Sequence, residues 1–299
     1  MTENRFETEL IQYITTGTIS NPKCLEGIPE FTVIGLGNRV VKTKLWKYEP
    51  DIKTTPQLWE NFKKILEQHN QNVLENPMSD AEFNQVKKII SDLHTPYEAG
   101  QFLYGLNGVS QIEVDLDDGR HVFLTVFDQK QIGAGDTVYQ VVNQIERPAV
   151  INGKMNRRFD TTLLINGLPI IQIEEKRDTH DVNEALNQMH QYIDEGQYSD
   201  IFSMLQILIA ITPNNVKYMA NTTSERFNKD FAFNWQREDN TIVRDWKEFA
   251  DSMLSIPMAH QMATNYMILD GTPNKQSLKV MRPYQVCLLY TSPSPRDPK

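Results

Sequence analysis

RRFDTTLLINGLPIIQIEEKR, residues 157–177, consists of two apolar runs joined by Asn166-Gly167. Asn-Gly supplies the two positive-φ positions of a tight hairpin turn, so Asp160–Ile165 and Pro169–Lys176 are predicted to be the strands of one hairpin. Side chains alternate along a strand, which puts Glu174 and Lys176 on one face and Glu175 on the other. The register decides whether Asp160 joins them. A two-residue loop pairs Asp160 with Ile173 and leaves Glu174 pointing away; one extra loop residue or a bulge sets Asp160 directly opposite Glu174. The second arrangement is the one expected.

Two carboxylates held on rigid strands suit Mg²⁺, a hard cation that takes oxygen ligands and keeps several waters. A lysine beside them can orient a water and stabilise developing negative charge. Asp160, Glu174 and Lys176 are therefore candidate catalytic residues for metal-assisted phosphodiester hydrolysis. The bare pattern also fits a surface ion pair between Glu174 and Lys176. Its setting on a hairpin, behind the apolar run Pro169-Ile-Ile-Gln-Ile, places the carboxylate at the edge of a core instead.

Outward from the hairpin, a helix is predicted from about Asp181 to Glu195 and an apolar strand from Phe202 to Ile211. Gln188 and Tyr192 are four apart and share a helix face; they either reach the site or a DNA phosphate, or Tyr192 packs in the core with Met189 and Ile193. Arg157, Arg158 and Arg177 flank the carboxylates and are candidates for contact with a substrate backbone, or are solvated surface arginines. Upstream, Ile112, Val114 and Leu116 alternate with polar residues, as do Val122, Leu124 and Val126, around the turn Asp117-Asp118-Gly119. Val138–Ile145 is expected to continue that sheet. Helices are predicted at Phe6, Leu10, Ile11 and Ile14, ended by Gly17; at Leu58, Phe62, Ile65 and Leu66; and at Phe83, Val86, Ile89, Ile90 and Leu93. Ser79 with Glu82 forms a capping box for the last of these, and Thr95-Pro96-Tyr97-Glu98 repeats the start signal. Strands, a helix and a further strand covered by helices make an α/β fold, a mixed β-sheet flanked by helices.

The bulk composition narrows the function. The 299 residues carry a net charge of -9, so a free-standing basic DNA-binding domain is disfavoured and weak DNA affinity is expected of this region alone. Cys24 and Cys287 form no CxxC pair. The histidines at 69, 94, 121, 180, 190 and 260 show no HExxH spacing, and neither GxSxG nor GxxxxGK[ST] occurs, which disfavours zinc hydrolase, serine hydrolase and self-contained ATPase chemistry. The longest apolar stretch, Ile201–Ile211, is too short to span a bilayer. The N-terminus lacks a secretory signal pattern, and a cytoplasmic location is expected.

The run from Arg157 to Arg177, preceded by VVNQIE at Val141–Glu146 and followed by NEALNQMHQY, resembles the N-terminal nuclease domain of the restriction (R) subunit of type I restriction-modification enzymes, a PD-(D/E)xK nuclease. The family's Asp, NGLP, Glu-x-Lys and Gln-x-x-x-Tyr pattern falls on Asp160, Asn166–Pro169, Glu174, Lys176, Gln188 and Tyr192. Glu7 looks like the additional acidic residue that such folds carry near the metal. Glu175 departs from the family, which usually has an apolar residue there. Met281-Arg-Pro-Tyr-Gln285 resembles the glutamine motif leading into an ATP-driven translocase motor, which makes Gln285 a nucleotide-contact candidate. The resemblance implies a restriction-endonuclease-like fold over residues 1–270, with a helical insertion at about 50–105. It further implies a linker and the start of a truncated motor at 271–285, and the proline-dense residues 286–299 are expected to be a non-native tail. It implies Mg²⁺ as cofactor, ATP for the complete enzyme, double-stranded DNA as substrate, and methylation and specificity subunits as partners. The competing expectation is a catalytically inactive architectural domain of the same fold that docks a motor or partner subunit.

Overall fold

The central hairpin sets the architecture. The computed structural model describes residues 2–17, 31–36, 39–133, 135–237 and 239–286, with the side chains of 31–44 excepted; Cys24, Cys287 and all of the expected tail but Val286 lie outside the described residues. In chain order, α1 (Glu3–Thr16) precedes a hairpin of β1 (Phe31–Leu36) and β2 (Arg39–Lys44), the short β3 (Lys47–Tyr48), and the helices α2 (Thr55–His69), α3 (Asp80–Ser91) and α4 (Pro96–Tyr104). A second hairpin, β4 (Val109–Asp115) and β5 (His121–Asp128), leads to β6 (Tyr139–Arg147), β7 (Arg157–Ile165), β8 (Leu168–Glu175) and α5 (Val182–Asp194). The described chain continues with β9 (Ile207–Thr212), β10 (Asn215–Ala220), α6 (Trp246–Ser252), α7 (Met258–Ala263) and the hairpin β11 (Met267–Asp270) and β12 (Ser277–Val280).

The main sheet is six-stranded and mixed, in the order β10-β9-β8-β7-β6-β3, with β3 parallel to β6 and β8 parallel to β9. The fold is thus the mixed α/β sheet with flanking helices that the sequence predicts. α1 packs on β3, β7 and β8, while α5 packs on β8, β9 and β10. Every residue of β8 is buried. The helix starts follow their sequence signals: Ser79 and Glu82 cap α3 reciprocally, Thr95 and Glu98 cap α4, and Gly17 ends α1 in a left-handed conformation.

Two expectations are corrected. Val138–Ile145 does not extend the β4–β5 sheet; that hairpin stands as a separate two-stranded sheet and β6 joins the main one. The cause lies in the burial pattern. β4 buries only alternate residues, enough to cover α3 and α4, whereas β6 buries four consecutive residues and needs neighbours on both faces. Likewise Phe202 is not in a strand: Asp200–Met204 is a 3₁₀ turn, and extended chain begins at Ile207. Asp200 enters the turn at φ 60° and its carboxylate accepts from Trp59 Nε1 and Ser91 Oγ, so a buried apolar run is made compact there by polar anchors that periodicity does not reveal.

The division expected at residue 270 falls inside the β11–β12 hairpin. β12 packs on β10 and α4, the Tyr218 hydroxyl donates to the Met281 carbonyl at 2.9 Å, and the Arg282 guanidinium lies 4.4 Å from the Phe233 ring centroid. Residues 277–286 therefore continue the packed body instead of leading out of it as a linker. No helix among the described residues is long and apolar enough to cross a membrane.

The hairpin has both a two-residue turn and a bulge. Ile165 pairs with Leu168 and Leu164 with Pro169, but Leu163 pairs with Ile171 and Thr161 with Ile173. Ile170 is the extra residue. Pro169 has no N–H to give to the ladder, and the Ile170 carbonyl accepts from Gln206 N at 2.8 Å. The turn is fixed from outside: the Asn166 side chain accepts from Val138 N and donates to the Val126 carbonyl, while Gly167 lies against α2, where an added Cβ would come within 2.9 Å of Phe62 Cα. Gly167→Ala is expected to cost about 2–3 kcal/mol of unfolding free energy in urea titrations, from a positive φ and a backbone clash together. Gly153→Ala, at φ +84° with open space around it, should cost about 1 kcal/mol.

Candidate active site

The bulge carries Asp160 to the end of β8. Its Oδ2 accepts the Glu175 amide at 3.1 Å, and its charge acts directly on the Glu174 carboxyl. Lys176 Nζ stands 3.6 Å from Glu174 Oε1 and donates to Glu3 Oε1 at 2.8 Å and to the Glu175 carbonyl at 3.0 Å. Asp160, Glu174 and Lys176 thus converge. Glu7, buried on α1, accepts from Asn143 Nδ2 on one oxygen and from Gln144 Nε2 at 2.5 Å on the other. Its charge acts on Asp160 and Glu175, whereas Glu174 acts on Tyr192 and Tyr198. Strand alternation thus splits the acids, and Glu7 joins the cluster through Asp160, not beside Glu174.

The cluster is electrostatically incomplete. Both carboxylate oxygens of Glu174, and both of Glu175, are buried without a hydrogen-bond donor. Burial first, and the Asp160 charge second, push the Glu174 carboxyl well above the usual carboxylate range. Glu175 is pushed up in the same way, with Glu7 adding to the repulsion. Asp160 and Glu7 are also raised, chiefly by burial. Burial alone would pull Lys176 down, but Glu174, Glu3 and Asp160 outweigh it and hold the ammonium charged. One lysine faces several acids in a low-dielectric setting, where unpaired charge is costly.

An oxygen-only donor set with orphaned lone pairs fits a hard cation such as Mg²⁺. Among the described residues no three acidic, histidine or cysteine groups already form a metal cage. Mg²⁺ commonly binds through one or two carboxylates and completes its shell with waters and phosphate oxygens, which is the kind of site Asp160 and Glu174 offer.

The remaining predicted residues divide. Tyr192 is buried in the core, with its ring 5.0 Å from that of Phe159, and its hydroxyl accepts from Gln188 Nε2 at 2.5 Å. Of the two readings of Tyr192, the packing in the core is the one seen, and Gln188 is half-buried beside it. Arg157 is engaged by Glu195 through two 2.6 Å bonds and is not free for substrate. Arg158 and Arg177 are exposed, and neither side chain makes an ion pair among the described residues. Gln285 accepts the Arg282 amide at 2.8 Å and lines a cleft beside β12, remote from the carboxylates in the chain. Sequence reasoning missed Glu3, Lys53 and the roles of Asn143 and Gln144. Two signals were present: Glu3 sits one helical turn before Glu7, and Asn143-Gln144 interrupts the apolar positions Val141, Val142 and Ile145.

Comparison with known proteins gives the family. The sequence pattern described as "Type I restriction enzyme R protein N terminus" matches residues 36–227, more than half of the chain, and runs through the α2–α4 layer. An endonuclease subunit named type I restriction enzyme SauMSSORF170P, from Staphylococcus aureus (strain MSSA476), is 32% identical over 236 residues, covering 79% of this chain and 24% of that protein. The EcoprrI endonuclease subunit of Escherichia coli is 36% identical over 173 residues, 57% of this chain and 52% of its own. The chain thus spans about a quarter of the length of the staphylococcal relatives it matches. With Asp160, Glu174 and Lys176 gathered on a bulged hairpin inside the matched span, the chain belongs to the family of type I restriction enzyme R protein N-terminal regions.

Proposed function

We propose that this chain is the DNA-cutting domain of a type I restriction endonuclease subunit and hydrolyses phosphodiester bonds with Mg²⁺ at Asp160, Glu174 and Lys176. The observation that carries this is the opposition of Asp160 and Glu174 beside a charged lysine, with carboxylate oxygens left without donors. Asp160 and Glu174 would hold the ion, with Glu7 adding negative charge behind Asp160. A bound Mg²⁺ lowers the pKa of a coordinated water and neutralises charge on the phosphate oxygens. Lys176 keeps its proton and donates toward the attacking water or the charge that develops on phosphate. Gln188 and Tyr192, bonded to each other, pack on the Glu174 side of the sheet and exclude water there. In the whole protein, cutting double-stranded DNA follows ATP-driven translocation, in complex with methylation and specificity subunits; ATP belongs to that complete enzyme, with Gln285 at the threshold of its motor.

Affinity for DNA in so acidic a chain needs local cations. Arg158 precedes Asp160 by two strand residues, about 6.6 Å. It is exposed and opens with Lys87 onto a cleft of about 1050 Å³. Arg158, with Arg177 beyond Lys176, serves the backbone phosphates next to the scissile bond.

Three outcomes test this function. Mg²⁺-dependent nicking of supercoiled plasmid, and Mn²⁺ binding by calorimetry, should both be lost in Asp160→Ala, while Lys176→Ala should keep metal binding and lose at least about 100-fold in rate; wild-type protein that binds no metal would favour the architectural alternative. Arg158→Ala should weaken DNA binding at every sequence and lower the slope of log affinity against log salt by about 1. The third concerns pH. Glu174 and Glu175 have folded-state pKa values above their unfolded ones, so in EDTA their contribution is present in acid and is lost as pH rises above the ordinary carboxylate range. The melting temperature in EDTA should therefore fall as pH rises beyond the ordinary carboxylate range, and the gain on adding Mg²⁺ should be larger at the higher pH, where no proton must be displaced.

A further inference from the structure

Gln144 lies within β6 at φ 55°, the left-handed region that a long side chain seldom adopts inside a strand. The residues on either side keep their pairing with β7, Asn143 with Thr161 and Ile145 with Phe159, and the unpaired gap between those partners is Asp160. The departure is therefore local to the point opposite the candidate catalytic aspartate. Its consequence is geometric. Neighbouring strand residues point to opposite faces, yet Asn143 and Gln144 both reach Glu7, each donating a side-chain amide to a different oxygen of its carboxylate.

The first of these amides is itself held. Asn143 Oδ1 accepts from Lys53 Nζ at 2.6 Å and from the Tyr48 hydroxyl at 2.9 Å, and Lys53 Nζ also donates to the Asn143 carbonyl at 2.8 Å. With its oxygen so occupied, the amide can present only its NH₂ to Glu7. Gln144 completes a two-amide grip that fixes both position and rotation of the Glu7 carboxylate. Each gripped oxygen keeps a second lone pair, so the grip orients Glu7 without consuming its capacity as a ligand.

We propose that Gln144 is a positioning residue for the metal-binding acids: its left-handed backbone brings its amide onto the Asn143 side of β6, and the two amides aim Glu7 at the Asp160 end of the cluster. The inference rests on the Mg²⁺ reading of the site. Backbone strain at a site is retained where the surrounding structure fixes it, and the flanking β6–β7 pairs do so here. Partners that orient a metal-binding group typically change metal affinity by about 10–100-fold when removed.

The test is Gln144→Gly, which keeps the positive φ available while deleting the amide, compared with wild type, Glu7→Gln, Asp160→Ala and the Gln144→Gly/Glu7→Gln double variant. Mn²⁺ affinity is measured by calorimetry and folding by thermal melting in EDTA. Gln144→Gly is expected to fold and to bind Mn²⁺ about tenfold more weakly, and to raise the Mg²⁺ concentration for half-maximal nicking more than it lowers the rate at saturating Mg²⁺. Adding Glu7→Gln should then cost less than the same change does in the wild type, because part of what Glu7 contributes is already lost with Gln144. Wild-type affinity in Gln144→Gly, with binding lost in Asp160→Ala, overturns the positioning role and leaves the metal site standing. Absence of Mn²⁺ binding in the wild type overturns the metal site and the positioning role with it.

Discussion

The repulsion among buried acids at the end of β8 is the constraint around which this structure is arranged. Glu174 and Glu175 lie on a central strand whose every residue is buried, and their four carboxylate oxygens meet no donor. Elsewhere in the molecule the same problem is solved by pairing. Arg157 grips Glu195 in two short bonds, and buried Arg147 donates through its two terminal nitrogens to Thr55 Oγ1 and to the carbonyls of Gln197 and Ser199, with the Asp200 carboxylate 3.9 Å away. Here the acids are neutralised only in part: Lys176 stands 3.6 Å from Glu174, and burial pushes Glu174 and Glu175 toward their protonated forms.

The surrounding elements accommodate that site. α1 covers it with Glu3 and Glu7 and, through Phe6 and Tyr13, packs edge-on against Trp246 of α6. α5 supplies the Gln188–Tyr192 pair behind Glu174. The helices α2–α4, with the β4–β5 sheet, do not touch the acids; they clamp the far end of the hairpin, where Gly167 lies on α2 and Asn166 ties the turn to β5 and β6. Rigidity at the turn end keeps the register at the acid end.

Much of this was legible in the sequence because it rests on local rules. Asn166-Gly167 announces the turn, Pro169 announces the break in the ladder, and Ser79-x-x-Glu82 and Thr95-x-x-Glu98 announce their helices. Asp160, Glu174 and Lys176 could be named because strand alternation and register are arithmetic. The parts that were not legible depend on contacts distant in sequence. Tyr192 and Arg157 have the composition of substrate-binding residues, and only the packed structure shows one against Phe159 and the other held by Glu195. The 3₁₀ turn at 200–204 follows from bonds to Trp59 and Ser91. The separation of β4–β5 from the main sheet follows from what each strand has to cover. Gln144 gives no sequence signal for its backbone conformation.

The bulge at Ile170 makes the hairpin a matter of parity. A two-residue turn with one bulged residue and a three-residue turn without one bring the same pair of positions face to face, since each adds one residue to the same strand count. The fourteen-residue step from Asp160 to Glu174 is therefore common to both solutions, and an insertion at the tip is neutral for the acids when the bulged residue is lost with it. Relatives can therefore keep this spacing while differing in which device supplies the odd residue, so the gap between the two carboxylates does not by itself tell a bulged hairpin from one with a longer turn.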